Sequence, residues 1–206
     1  MVLAVYLLQF PSMSMAKKAA LASLLLLPLI ASLFCKKNEE NNEPPGAVEL
    51  KDSVIASGLN HPWEILWGPD NHIWMTERGG RVSRLNPATG EFTPLHTITE
   101  VQATGEGGLL GMALHPNFTT TPHVFVVYNY TAAAGYREKV VRFTYNGTTL
   151  TTPTTIIDNI AAANIHNGSR LVIVNDKLFI TTGDAASEGS AQNTSSRNGK
   201  VLRLNL

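Results

Sequence analysis

The chain has 206 residues and one cysteine, Cys35. No intramolecular disulfide can form, so burial and hydrogen bonding must hold the fold. There is no excess of either charge: 16 lysines and arginines balance 16 aspartates and glutamates. That balance argues against a nucleic-acid partner, which would need a basic patch. Neither CxxC nor HExxH spacing occurs, and zinc chemistry loses its usual motifs with them. The apolar stretch 19–33 is short and interrupted by Pro28, so it is no comfortable membrane span. Beyond about Val48 the 3.6-residue periodicity of amphipathic helices is missing as well. What remains there is short runs of valine, isoleucine, threonine and aromatics between turn residues, the pattern of an all-β protein.

The N-terminus belongs to another class. Lys17 and Lys18 precede the apolar stretch, and Met15 is a plausible start just before them. Positive region followed by short apolar region is the order of an export signal. Cys35 follows at Ser32-Leu33-Phe34-Cys35, which resembles a bacterial lipoprotein processing site apart from Phe34 where a small residue is usual. Residues 1–35 are therefore expected to be an export signal with Cys35 lipidated; an uncleaved signal anchor is the other reading. The run from Lys36 to Pro45 is polar and cannot bury anything, so 36–47 is expected to be a disordered tether. Together these predict an exported protein at the periplasm or cell surface, attached to a membrane through a lipid.

From 48 to 206 the chain repeats itself. Gly68-Pro69-Asp70-Asn71-His72-Ile73-Trp74-Met75-Thr76 is followed by Gly80-Arg81-Val82-Ser83-Arg84-Leu85-Asn86. Later, Asn175 to Thr181 is followed by Gly199-Lys200-Val201-Leu202-Arg203-Leu204-Asn205. A fainter copy runs from His123 to Tyr128 and Lys139 to Tyr145. The middle strands recur near Trp74, Val126 and Ile180, a period of roughly 50 residues, which marks β-propeller blades. The fold predicted is a partial β-propeller of about three blades. Propellers close with about four to eight blades, so the chain is expected to be the N-terminal part of a longer protein.

One stretch concentrates the chemistry. His166 stands in the turn Ile165-His166-Asn167-Gly168-Ser169-Arg170, and an apolar run leaves it. A second run, Leu178 to Thr182, ends in Gly183-Asp184. If the two runs pair as a hairpin, His166 and Asp184 share one edge of the sheet. A carboxylate beside a histidine orients the ring and raises its basicity, which suits a general base.

Several motifs together resemble the soluble quinoprotein glucose/sorbosone dehydrogenase family: Gly58-Leu59-Asn60-His61-Pro62-Trp63, Leu66-Trp67-Gly68-Pro69-Asp70, Trp74-Met75-Thr76-Glu77-Arg78, the run Gly107 to Phe118, the His166 stretch, and Gly199 to Asn205. The likeness covers about Ile55 to Leu206. It implies a six-bladed propeller that uses pyrroloquinoline quinone (PQQ) and calcium to oxidise the anomeric hydroxyl of aldose sugars. By the same resemblance His166 is the general base and Asp184 its support. Glu106 stands where the glucose enzymes have a glutamine near substrate, and Ile165 where they have a sugar-contacting aspartate. These two departures put glucose itself in question and leave a broader aldose or related alcohol open. Glu106 and Arg170 are the candidate substrate-side residues, although Arg170 is also suited to pairing with a carboxylate. Most cofactor-binding residues and the calcium ligands are expected beyond this chain, leaving it inactive or nearly so alone. The electron acceptor is not legible.

Several of these residues also suit blander roles. Asp184 after Thr-Gly suits a turn cap. Glu77 and Arg78 are expected to form an ion pair, and Trp63, Trp67 and Trp74 to pack between blades. The loop 185–198, without an apolar anchor, is expected to shape access to the site. A non-enzymatic propeller that binds a protein or carbohydrate partner is the alternative function.

Overall fold

The computed structural model describes residues 51–206; the export segment, Cys35 and the tether lie outside the described residues. Three antiparallel sheets follow one another along the chain. The first holds β1 (Pro62–Trp67), β2 (Ile73–Glu77), β3 (Arg81–Leu85) and β4 (Phe92–Thr97), in that order. The second holds β5 (Leu109–Leu114), β6 (His123–Ala132), β7 (Gly135–Tyr145) and β8 (Leu150–Ala161). The third holds β9 (Gly168–Val174), β10 (Lys177–Thr182) and β11 (Val201–Asn205). Each is an up-and-down meander, and the inner strands β1, β5 and β9 lie side by side. This is three blades of a β-propeller.

The sequence accounts for the blades locally. Asn175 and Asp176 both adopt positive φ, 49° and 56°, which a primed two-residue turn requires, and they close the β9–β10 hairpin. Strand β6 is an almost unbroken apolar run because both its faces are covered. Val124, Val126 and Tyr128 face blade one with Trp74, Val82 and Leu95. Phe125 and Val127 face blade three with Leu171, Leu178 and Ile180. Burying such side chains stabilises by roughly 1.5–3 kcal/mol each. Trp74 is fully buried, edge-on to Phe118 and Tyr145, and its indole N–H donates to Asp70 Oδ1 at 3.0 Å. Gly68 permits this: a Cβ there would come within 2.5 Å of the indole.

The other two tryptophans do not pack as expected. Trp63 is 40% and Trp67 64% exposed, and with Ile65 they form an open apolar face on β1. They alternate with the buried Glu64, so the pleat turns all three to the side opposite it.

Candidate functional site

The three blades share one construction at the end where the inner strands begin. The residue just after or late in each second strand donates its N–H to the residue before the inner strand: Arg78 to His61 O (3.1 Å), Asn129 to Gly108 O (3.0 Å) and Gly183 to Asn167 O (2.8 Å). In each blade the register of this strand pair also slips at that end, between Pro62 and Ile65, Leu109 and Met112, and Ile180 and Thr182. Bulges of this kind bend a strand and re-aim the residues beyond it. The loops carrying Glu106 and His166 leave from these bends.

His166 has φ 59°, a left-handed conformation unusual for a residue with a side chain. Its Nδ1 lies 3.1 Å from Asp184 Oδ1, and more than half of the ring is exposed. A carboxylate at Nδ1 selects the tautomer with the proton there and leaves the Nε2 lone pair free. Asp184 is itself fixed, since its Oδ1 accepts the Ala186 N–H at 3.0 Å. The turn-cap and histidine-partner readings of Asp184 therefore describe the same oxygen. Glu106 joins the pair from blade two. Its Oε2 accepts the backbone N–H of His166 at 2.9 Å, and its own N–H donates to Asn164 O at 2.7 Å. One oxygen of Glu106 thus positions the histidine turn.

The turn is held tightly from behind. Asn167 is buried, accepts the Ala163 N–H and donates back to Ala163 O. Gly183 is required by close approach: a Cβ there would collide with the His166 carbonyl. Arg78 donates to the carbonyls of Gly105 and Gly107 and so braces the Glu106 loop. Lys200 donates to the carbonyls of Ser190, Ala191 and Asn198 at 2.8–2.9 Å, tying down the loop after Asp184. Sequence reasoning missed Arg78 and Lys200 as braces. The carbonyls they serve carry no residue-type signal, and those of Arg78 lie more than twenty-five residues away.

One expectation changes. Glu77 pairs with Arg81, at 2.5 and 2.6 Å, and accepts the Asn60 N–H; its sequence neighbour Arg78 points to the Glu106 loop instead. Adjacent residues of an extended chain project to opposite sides, which separates them. Arg170 is committed as well: its guanidinium bonds both oxygens of the buried Glu64 at 2.6 Å, joining inner strands β9 and β1. That contact makes Arg170 the carboxylate partner that its sequence reading favoured.

The model of the family described as Glucose / Sorbosone dehydrogenase matches residues 59–206. The chain belongs to the glucose/sorbosone dehydrogenase family. Among curated members it is 33% identical to quinoprotein glucose dehydrogenase B of Acinetobacter calcoaceticus, over 87% of this chain and 42% of that protein. It is 30% identical to aldose sugar dehydrogenase YliI of Escherichia coli, over 78% of this chain and 44% of that one. Among solved structures of the family, the PQQ-bound aldose sugar dehydrogenase of Streptomyces coelicolor superposes with a TM-score of 0.69 at 31% identity, covering 74% of this chain and 47% of the other. The chain spans about half the length of the family members it matches.

Proposed function

We propose that this chain supplies the base-bearing half of a PQQ-dependent oxidoreductase acting on the anomeric hydroxyl of aldose sugars or related alcohols. The observation that carries it is the His166–Asp184 contact at the exposed loop end of the blades, which leaves Nε2 as a free acceptor. His166 takes the proton from the sugar hydroxyl through Nε2, and Asp184 holds the imidazolium that results. Glu106 sets the backbone of His166, and its carboxylate edges the site where a sugar hydroxyl would donate. Ile165, 42% exposed beside the base, offers apolar surface and no hydrogen bond. The specificity we assign is accordingly broader than glucose.

The fit of the cofactor is partial. The chemistry that bound PQQ supplies is two-electron acceptance. Its carboxylates would need cations, yet Arg78, Arg170 and Lys200 are each spent on protein oxygens. Nor do the described residues contain a cluster of three or more histidine, cysteine or carboxylate groups suited to a metal ion. The described residues fit the substrate side, and they do not furnish the cradle for PQQ or calcium. We further propose export, with Cys35 as the site of lipid attachment.

The test is to titrate the chain, joined to the further blades of a closed propeller, with PQQ and calcium and follow quinone reduction on adding a panel of aldoses. The expected outcome is reduction that falls by about 10²–10⁴-fold in His166→Ala, the usual cost of a lost general base. Equal reduction with and without His166 would refute the assignment. The commitment of the three cations favours a second reading, a propeller that binds carbohydrate or protein without redox chemistry. Calorimetric sugar binding with no reduction would select it.

A further inference from the structure

Beneath the two loops of the site lies a buried polar layer that the proposed chemistry does not use. Asn129 in β6 and Glu138 in β7 are directly paired across the sheet, and Ser169 at the start of β9 meets them from the next blade. Asn129 and Ser169 are fully buried and Glu138 is 1% exposed. Asn129 Oδ1 accepts the Gly108 N–H at 3.0 Å, which supports the loop carrying Glu106. Ser169 Oγ lies 2.5 Å from Glu138 Oε2 and 3.3 Å from the carbonyl of Asn167, the residue after His166. Ser169 holds φ 72°, a conformation strained for a residue with a Cβ, which persists only where surroundings enforce it.

We propose that Glu138 is a positioning residue for His166, acting through Ser169 to lock the turn from which the imidazole projects. The proposal rests on the reading of His166 as the base. A hydroxyl has one proton, so Ser169 can donate to only one of its two neighbours. If Glu138 carries a proton, its O–H donates to Ser169 Oγ and Ser169 donates to Asn167 O, and the strut is continuous. If Glu138 is ionised, the serine proton turns to the carboxylate and the Asn167 carbonyl loses that bond. Glu138 Oε1 is buried without a hydrogen-bond partner, which a neutral acid tolerates far better than a carboxylate. Burial pushes the Glu138 carboxyl up to about 8, with the Ser169 hydroxyl and Asn129 amide pulling the other way. The groups facing it are Asn129 from β6, Ile160 from β8, Ser169 from β9 and the Tyr136 phenol from its own strand.

The sign of the pH effect follows. The folded value lies above the ordinary 4.5, so this group's contribution to stability is full below about 4.5. It is lost progressively as pH rises to about 8, where the folded chain also gives up the proton.

The test reads the turn directly in the purified chain, without sugar or cofactor. The reporters are hydrogen-exchange protection of the Gly183 and Ala185 amides, whose acceptors are Asn167 O and His166 O, and the nitrogen-15 signals of the His166 ring. In Ser169→Ala, protection of the two amides should fall about tenfold and the ring signals broaden, while the Val126 and Val141 amides of β6 and β7 hold. Glu138→Leu should do the same; should it fail to fold, Ser169→Ala, which removes a single oxygen, decides. Glu138→Gln keeps a donor for Ser169 and should match the native chain to within about twofold near pH 6, then outlast it above about pH 8. Unchanged reporters in Ser169→Ala, or parallel alkaline loss in the native and Gln chains, would overturn the proposal. These shifts in the chain, together with no PQQ reduction by the closed propeller, would defeat the proposed function alone.

Discussion

Asp184 Oδ1 serves two donors, the Ala186 N–H and the His166 ring, so the carboxylate is oriented before it orients anything else. That order of dependence makes a prediction at the scale of single residues. In Asp184→Ala the His166 ring should lose its fixed tautomer, and long-range proton–nitrogen spectra should show the Nδ1-protonated form falling to a minority, as in a free histidine side chain. A ring signal unchanged from the native chain would mean that the turn alone sets the tautomer. The pairing was legible in the sequence because the turn Asn175-Asp176 sets the register of a hairpin that brings the two residues to one edge. Glu138 was not. A glutamate inside Tyr136-Arg137-Glu138-Lys139 is ordinary strand polarity on its face, and only the third dimension shows blade three closing over it. Arg170 was half legible: suited to a carboxylate partner, it found one in Glu64, more than a hundred residues earlier, a separation that no local pattern signals.

Among elements, the inner strands decide how close the blades come. Gly111 in β5 faces the backbone of β9, where a Cβ would collide with Ser169 O and sit 3.2 Å from Val127. Gly111→Ala should therefore push blade three outward and cost about 1–3 kcal/mol, read as a lower midpoint in urea unfolding with unchanged slope. No loss of stability would show that β9 can shift freely. The strands and their order were readable from repeated motifs and turn residues. The shared bulges were not, because a bulge inserts one residue into a pairing and leaves composition unchanged. Trp63 and Trp67, expected to pack between blades, stay exposed among the described residues. Aromaticity says that a residue wants a partner, whereas the pleat and the neighbouring blade decide whether it has one.

Among the described residues, the three blades bury their shared faces and leave two others open. Trp63, Ile65 and Trp67 line the face of blade one, and Val172, Val174 and Val201 are exposed on blade three. Contiguous apolar surface of this kind drives association. The 206-residue chain should sediment as oligomers at micromolar concentration, and Ile65→Lys with Trp67→Lys should reduce the association without unfolding the blades. A monodisperse monomer would show that these faces are shielded by something other than association. The whole molecule also ages chemically, and the clamped asparagines set where. Asn146, Asn167 and Asn198 each precede a glycine, the pairing in which a backbone nitrogen most readily attacks the side-chain amide and converts it to a carboxylate. Asn167 is tied at both ends to Ala163, and Asn198 donates to Ala161 O and Gly183 O, both in buried settings. Asn146 is exposed at a turn. In stored folded protein, peptide mapping should find deamidation at Asn146 first. The same conversion at Asn167 would mark molecules that had opened, giving the site beside His166 a built-in record of its own unfolding.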